Sequence, residues 1–230
     1  MKQTIQQIRA HYLQSANDGY KINVKHIIKI LVTVTLLFSL STGKSYSQER
    51  NINHRWHESI EQQDRCFHSP YLVSNNRVFF DGKRIDGANA SSFIILKDGY
   101  AKDRWNVYYC GEKMRGVSSD SFETLGYGYA KDKWDAYYNG EKIKGIMASN
   151  FKVLSDWYAV DKWDAYFDGR KISGASAKNF EVLGFGYAKD KWNVYFDGEK
   201  IKGASPNGFK VLHDGYAEDK WNTYYWGQKI

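Results

Sequence analysis

The chain has little of what most enzymes need. Its 230 residues contain no Gly-x-Ser-x-Gly nucleophile elbow and no Walker-type phosphate loop, and His213 is the only histidine after residue 68. No motif pairs a nucleophile with a base, and no repeated segment is interrupted where chemistry could sit. We therefore predict that the protein is not an enzyme and that it holds no cofactor.

Cysteine is also scarce, since Cys66 and Cys110 are the only two. In an oxidising compartment they could form one disulfide, and two unpaired thiols are the alternative. A few potential zinc ligands lie around the first cysteine, at a spacing that matches no strong zinc pattern: His54, His57, Glu58, Cys66 and His68. We predict no metal site.

No apolar run is long enough to cross a membrane comfortably. Residues 30–40 are apolar apart from Thr and Ser, whereas a spanning helix needs about 20 residues. Lys25 and Lys29 precede this run, and small polar residues follow it, which is typical of a secretory signal peptide. We predict cleavage before Gln48 and export to the periplasm, the cell surface or the medium. The protein would then meet the membrane only through this transient peptide; an uncleaved anchor is the alternative.

The basic region begins some distance after Met1, which is unusual for a signal peptide. Translation from Val24 would remove this long leader. On either start, we assign residues 1–47 to an N-terminal extension and signal peptide. Residues 48–70 form a linker, in which Trp56 and Ile60 predict a short capping helix.

Positive charge is concentrated outside the main body of the chain. The formal net charge is +7, but residues 1–47 hold six Lys/Arg and one acidic residue, and residues 48–230 hold 27 basic and 25 acidic residues. A nucleic-acid-binding domain needs a basic field on its folded part. We therefore predict no nucleic-acid partner.

From residue 71 onward, the chain repeats one unit of 29 residues without an insertion. The copies begin at Tyr71, Tyr100, Tyr129, Tyr158, Tyr187 and Tyr216, and the sixth stops after fifteen residues. Such a period indicates tandem supersecondary units that are stable only when they stack. We assign residues 71–230 to this repeat domain.

The unit is predicted to be a short antiparallel meander. Val194-Tyr195-Phe196 is rich in β-formers, and Asp197-Gly198 is a strong signal for a type I′ hairpin turn. This turn pairs Phe196 with Glu199, Tyr195 with Lys200 and Val194 with Ile201. The fold prediction is an all-β, open and elongated array; a closed, propeller-like arrangement is the alternative.

Strand alternation divides the side chains of each hairpin between two faces. We predict that the face with Trp192, Val194, Phe196 and Ile201 forms the core. Four positions of the unit supply that core in each copy: Trp105, Trp134, Trp163, Trp192 and Trp221; Ile85, Met114, Ile143, Ile172 and Ile201; Phe93, Phe122, Phe151, Phe180 and Phe209; Leu96, Leu125, Leu154, Leu183 and Leu212.

The opposite face carries a tyrosine between lysines. This row is our candidate ligand-binding site; packing between sheets or against lysine stems is the alternative. Its members are Tyr108, Tyr137, Tyr166, Tyr195 and Tyr224.

A repeated Asp-x-x-Asn/Asp, such as Asp190 and Asn193, could supply calcium ligands, but two oxygens per turn are too few. We expect these side chains to bond the turn backbone instead.

The repeat Tyr-Ala-Lys-Asp-Lys-Trp-Asn-x-Tyr-Tyr/Phe-x-Gly, followed by Ile-x-Gly-Ala and Phe-x-Val-Leu, resembles that of the bacterial DKNYY family. The similarity covers residues 71–230, although Trp stands where the family's name has Asn, and the first copy has Ser74-Asn75-Asn76. Its signature letters fall on Asp132-Lys133 with Tyr137-Tyr138 and on Asp190-Lys191 with Tyr195-Phe196. The resemblance implies an exported repeat protein; it implies no catalytic residue and no ligand.

Together these observations predict an exported, non-enzymatic protein that presents an extended surface to an unknown protein or surface polysaccharide. A carbohydrate- or wall-binding module that uses the Tyr row is one alternative. An immunity- or adhesion-associated surface protein is another.

Overall fold

The computed structural model describes residues 71–146, 148–155 and 157–230. These residues belong to one compact unit, Ser69–Ile230. The predicted leader and signal peptide (1–47) and the linker with its capping helix (48–70) lie outside the described residues. Within the part that is described, no helix has the length and apolar character that a membrane crossing requires.

The described chain folds into six small antiparallel sheets, and each is a meander whose strands pair in chain order. The first sheet has three strands and the others have four. The strands are β1 Tyr71–Ser74, β2 Arg77–Phe80 and β3 Lys83–Arg84; β4 Ile94–Ile95, β5 Tyr100–Lys102, β6 Val107–Tyr109 and β7 Glu112–Met114; β8 Glu123–Gly126, β9 Tyr129–Lys131, β10 Ala136–Tyr138 and β11 Glu141–Lys142; β12 Lys152–Val153, β13 Tyr158–Val160, β14 Asp164–Phe167 and β15 Arg170–Ser176; β16 Glu181–Gly184, β17 Tyr187–Lys189, β18 Val194–Phe196 and β19 Glu199–Lys200; β20 Lys210–Val211, β21 Tyr216–Glu218, β22 Thr223–Tyr225 and β23 Gln228–Lys229. Two short 3₁₀ helices, Ala90–Ser92 and Ala148–Asn150, lie between sheets.

The predicted turn and register are confirmed. Asp197 and Gly198 both have positive φ, 45° and 74°, as a type I′ turn requires. Phe196 pairs with Glu199, and Tyr195 pairs with Lys200. The N–H of Ile201 donates to the carbonyl of Val194 at 2.9 Å. The same two-residue turn recurs in each unit. Its second residue is always glycine, which tolerates positive φ readily. Its first residue is Asp or Asn in four copies, and it is Cys110 or Trp226 in the other two.

The assignment of the faces is corrected by the structure, because stacking covers both faces of the two central strands. In β18, Val194, Tyr195 and Phe196 are all buried. Tyr195 packs into a cluster with Tyr158 and Phe167 of the preceding unit. Val194 and Phe196 pack instead with Tyr224 of the following unit. A meander between two neighbours therefore has no solvent-facing side at its centre.

The tryptophans predicted for the core lie outside it. All five are 64–75% exposed. Each stands in the turn before the third strand of its sheet, so the strand alternation that places Val194 and Phe196 does not extend to Trp192. Leu154 and Leu212, two further predicted core residues, are 39% and 45% exposed and lie outside the core, since they follow β12 and β20 where the chain turns. The predicted Ile and Phe positions do contribute to the core clusters.

Tyrosine and phenylalanine form the core in place of tryptophan. At each junction, a Phe from the connecting loop lies between the Tyr that begins one unit and the buried Tyr in the third strand of the next sheet. Phe122, for example, lies 5.5 Å from the ring of Tyr100 and 6.0 Å from that of Tyr137. Tilted rings at this spacing contribute beyond their buried area, about 0.5–1.5 kcal/mol a pair.

The tyrosine that begins a unit also forms hydrogen bonds with backbone atoms of the next sheet. The hydroxyl of Tyr100 donates to the carbonyl of Gly128 at 3.0 Å and accepts the N–H of Gly140 at 2.9 Å. We call this pair of bonds the tyrosine latch. Tyr71, Tyr129, Tyr158 and Tyr187 repeat it with partners 28 and 40 residues ahead.

The turn glycine is fixed by packing as well as by its φ. A Cβ on Gly111 would stand 2.8 Å from the Phe80 ring of the preceding unit, and one on Gly198 would stand 2.7 Å from Phe167 Cβ. Such distances are far below van der Waals contact, so each glycine forms the seat for an aromatic ring from the unit before it. Any side chain at this position would separate the two units.

The predicted tandem array of antiparallel units is confirmed. Each of the five buried clusters joins one sheet to the next in the chain. Within the described residues there is no closed barrel, and no cluster joins the first sheet to the sixth.

We predict that Tyr100→Phe lowers the free energy of unfolding by about 1–3 kcal/mol, because the buried N–H of Gly140 and carbonyl of Gly128 lose their partner. Urea unfolding followed by circular dichroism measures this. Tyr216→Phe is the matched control: in the described structure its hydroxyl makes no hydrogen bond, so we expect a change below about 0.5 kcal/mol. Equal effects of the two substitutions would contradict the latch.

The buried tyrosines predict alkaline unfolding. Burial raises the pKa of Tyr71 and Tyr187 to about 12, and it also raises the pKa of Tyr100 and Tyr129. An unfolded chain releases these protons at about pH 10. The folded protein therefore holds more protons than the unfolded chain above that pH, and stability decreases as the pH rises through about 10 to 12.

Urea midpoints across that pH range, recorded together with tyrosinate absorbance, test this expectation. Ionisation of most tyrosines near pH 10 while the circular dichroism stays native would contradict it.

Candidate functional site

The turn between the second and third strands of each four-stranded sheet has nearly the same sequence in every copy. It reads Asp, Lys or Arg, Trp, and then Asn or Asp. We call these segments the hairpin tips, and they are residues 103–106, 132–135, 161–164, 190–193 and 219–222. Their shape decides where the tryptophans lie.

A buried aspartate builds each tip. Oδ1 of Asp132 accepts the N–H groups of Trp134 and Asp135, both at 2.8 Å. Oδ2 accepts the hydroxyl of Tyr137 at 3.1 Å and the N–H of Ser118 at 2.9 Å. The expected bonding of Asp to the turn backbone is thus confirmed, and donors occupy the oxygens that the calcium alternative needed.

Four of the five tip aspartates have a lowered pKa and are ionised at neutral pH. Burial by itself would raise the pKa of Asp132, but the hydrogen bonds from the backbone of Ser118, Asp135 and Trp134 and from the Tyr137 hydroxyl outweigh it and lower the pKa. The pKa values of Asp103, Asp190 and Asp219 are lowered by the same balance. A fixed negative charge therefore lies beneath each of these tips, held entirely by internal donors.

The fourth tip residue behaves differently from the expectation that it bonds the turn backbone. Asn106 and Asn222 donate to the aspartate of their own tip. Asp135 and Asp164 form ion pairs instead, with Lys142 and Lys171 at 2.6 Å. These two acidic groups are thus paired with lysines, whereas the buried tip aspartates accept hydrogen bonds from neutral donors.

The predicted ligand-binding row of tyrosines is corrected, because its side chains are buried and at most 3% exposed. Each hydroxyl donates to the tip aspartate five residues earlier: Tyr108, Tyr137, Tyr166, Tyr195 and Tyr224 do so at 2.7–3.1 Å. Burial and the nearby carboxylate raise the pKa of Tyr224 to about 12. Rings in this position cannot meet an external ligand, and they pack between sheets as in the alternative.

The exposed aromatic surface belongs to the tryptophans. We call Trp105, Trp134, Trp163, Trp192 and Trp221 the indole ladder. In each copy the preceding cationic side chain lies over the indole ring, with its charged group 4.6–4.9 Å from the ring centroid. These ladder cations are Arg104, Lys133, Lys162, Lys191 and Lys220. A cation over an indole is attracted by the negative face of the ring.

Neighbouring tips lie side by side, because short loops bond to both. Ser118 donates its N–H to Asp132, and the hydroxyl of Ser119, the next residue, donates to the carbonyl of Asp103. At a later junction, Ser176 donates its N–H to Asp190, and Ala177 donates its N–H to the carbonyl of Trp163. At these two junctions, one loop therefore holds the tips of two successive indoles next to each other.

Sequence reasoning missed this site because it placed the largest aromatic residue in the core. One signal pointed the other way: the first copy has Asn76 at the Trp position, which a core position would not accept. The remaining predicted sites include residues outside the described ones. These are the pairing of Cys66 with Cys110 and the possible ligands His54, His57, Glu58 and His68. Within residues 71–146, 148–155 and 157–230, no group of three or more His, Cys, Asp or Glu is placed to hold a metal ion.

The family model described as the DKNYY family matches residues 21–141, 71–191 and 129–230. The three overlapping matches agree with the repeated unit. No curated protein and no solved structure matches the chain.

We predict that substitutions in the two aromatic rows change stability by very different amounts. Trp163→Ala should change the free energy of unfolding by less than about 1 kcal/mol, since its exposed ring packs on little. Tyr166→Ala should cost about 3–5 kcal/mol through the cavity that it leaves. Urea unfolding of both variants measures the difference. A Trp163→Ala variant as unstable as Tyr166→Ala would contradict the exposed position of the ladder.

Proposed function

The chain belongs to the DKNYY family, and we propose that it is an exported, non-enzymatic binding protein whose indole ladder holds an extended partner, either a protein or a surface polymer. The observation that carries this proposal is the exposure of five equivalent tryptophans, each 64–75% accessible to solvent.

Exposing an indole in water is unfavourable, and a folded protein gains no stability from it. Trp is also the residue type most enriched at binding hot spots. Repetition of an exposed Trp in five consecutive copies therefore supports a role in binding.

The buried side of each tip supports the same proposal. In one tip, for example, the carboxylate of Asp132 accepts hydrogen bonds from two N–H groups of the turn, from the Tyr137 hydroxyl and from the N–H of Ser118, so the indole is carried on a fixed backbone. A pre-organised surface loses less entropy when it binds.

Export and the lack of enzymatic activity rest on the sequence. The basic segment and apolar run before residue 48 favour a secretory signal peptide. The absence of a nucleophile–base motif and the unbroken repetition favour a binding protein over an enzyme. An adhesion or immunity role would be one use of such a surface.

To test the proposal, the full chain would be incubated with cell-envelope particles of its source organism, and the fraction that sediments with them would be measured. The variant with all five ladder tryptophans replaced by Ala should lose most of its retention, because the ladder is the proposed contact.

The matched control replaces three exposed apolar residues outside the ladder by Ala: Leu72, Ile94 and Ile95, which are 53–57% exposed. We expect this control to be retained like the unmodified chain. If the five-Trp variant is retained as well as the control, the ladder does not carry the binding.

A further inference from the structure

We propose that the partner of the indole ladder is an acidic polysaccharide, and that each tip binds one charged sugar unit of it. This inference rests on the proposed binding function and names its ligand class. Three observations support it: the exposed cation of each tip, the pairing of ring and cation, and the equivalence of the tips.

Each tip presents an exposed Lys or Arg, on a domain that is nearly neutral. Residues 71–230 contain 24 Lys/Arg and 21 Asp/Glu. The acidic groups of the tips already have partners within the protein. The buried carboxylates accept hydrogen bonds from backbone N–H groups and Tyr hydroxyls, and two further carboxylates pair with Lys142 and Lys171. Within the described residues, none of the five ladder cations forms an ion pair. An acidic group can therefore pair with a cation at every tip without breaking an ion pair.

Each tip also combines the two chemical features that an acidic sugar requires. One face of a pyranose ring presents C–H groups, which stack on an exposed indole. Its carboxylate or phosphate substituent is the partner of a Lys or Arg beside that indole. At all five tips the ammonium or guanidinium group lies over the indole, within 4.9 Å of the ring centroid. A sugar that stacks on that face would displace the cation, which could then pair with the acidic group of the same sugar.

Equivalence of the tips favours a polymer over a folded protein. The Trp and the cation before it are retained at all five tips, whereas the exposed position of Glu112, Glu141, Arg170, Glu199 and Gln228 varies. An exposed lysine also recurs outside the tips, at Lys113, Lys142, Lys171, Lys200 and Lys229. A row of identical sites matches a partner that itself repeats, while a protein surface rarely does. Such sites, each weak, add up through effective concentration.

The test uses the full chain and three acidic polysaccharides as probes: polygalacturonate, hyaluronate and a phosphate-linked teichoic acid. Binding is measured by surface plasmon resonance with the polymer immobilised. We expect binding to at least one of them that weakens as salt rises, and an affinity at least about tenfold lower for the same polymer after its charges are neutralised, for example by methyl esterification.

Two variants locate the site. The five Trp→Ala changes and, separately, Arg104→Gln with Lys133, Lys162, Lys191 and Lys220→Gln should each weaken binding at least about tenfold. The matched control replaces five exposed lysines elsewhere by Gln and removes the same charge: Lys97, Lys113, Lys144, Lys178 and Lys202. We expect the control to keep most of its affinity.

Several outcomes would overturn the inference. They are no binding to any of the three polymers, equal affinity for the neutralised polymer, an equal loss in the lysine control, and tighter binding of single-stranded DNA of the same charge. If envelope retention still depends on the ladder in those cases, the proposed function stands and only the ligand class is wrong. If retention is also independent of the ladder, both proposals fail.

Discussion

The bond between a tyrosine hydroxyl and the backbone of the next unit is the constraint on which this structure depends. A meander of four strands, each two to seven residues long in the described sheets, is too small to exclude water from its own centre. The latch gives the hydroxyl two backbone partners, which lie in two different turns of the next sheet. The ring can therefore be buried without an unsatisfied polar group. Burial of that ring then supplies the apolar contact that holds the two units together.

The latch bonds only main-chain atoms. Most side chains at the positions it contacts can therefore change without breaking it. Its carbonyl acceptor belongs to Gly99, Gly128, Gly186 or Gly215 at four junctions and to Trp157 at the fifth. Only the turn glycine must be kept, since its N–H is the donor and an aromatic ring occupies the space of a side chain. The indoles of the tips are exposed and do not pack in the contact between neighbouring units. The Trp and its cation are therefore available for binding.

The sequence allowed the period, the strand class and the hairpin register to be predicted, because a period and an Asp-Gly turn are local signals. It did not allow the buried face to be chosen. Alternation tells which of Val194, Tyr195 and Phe196 point the same way, but in a stack both directions lead into a neighbour. The site was misassigned for the same reason: Tyr195 between lysines looks exposed on an isolated hairpin, whereas Trp192 looks apolar enough for a core. The latch itself joins atoms 28 and 40 residues apart, and a backbone partner leaves no signature in the sequence.

The glycine seat has a consequence for how such chains change over generations. At every junction the turn glycine of one unit contacts an aromatic ring of the unit before it. We therefore expect that a copy can be removed or duplicated as a whole and that the flanking copies still fit. Recombination between the segments that encode these copies would yield foldable products of different length. The number of tips, and with it the reach of the protein, can therefore vary while every junction stays unaltered.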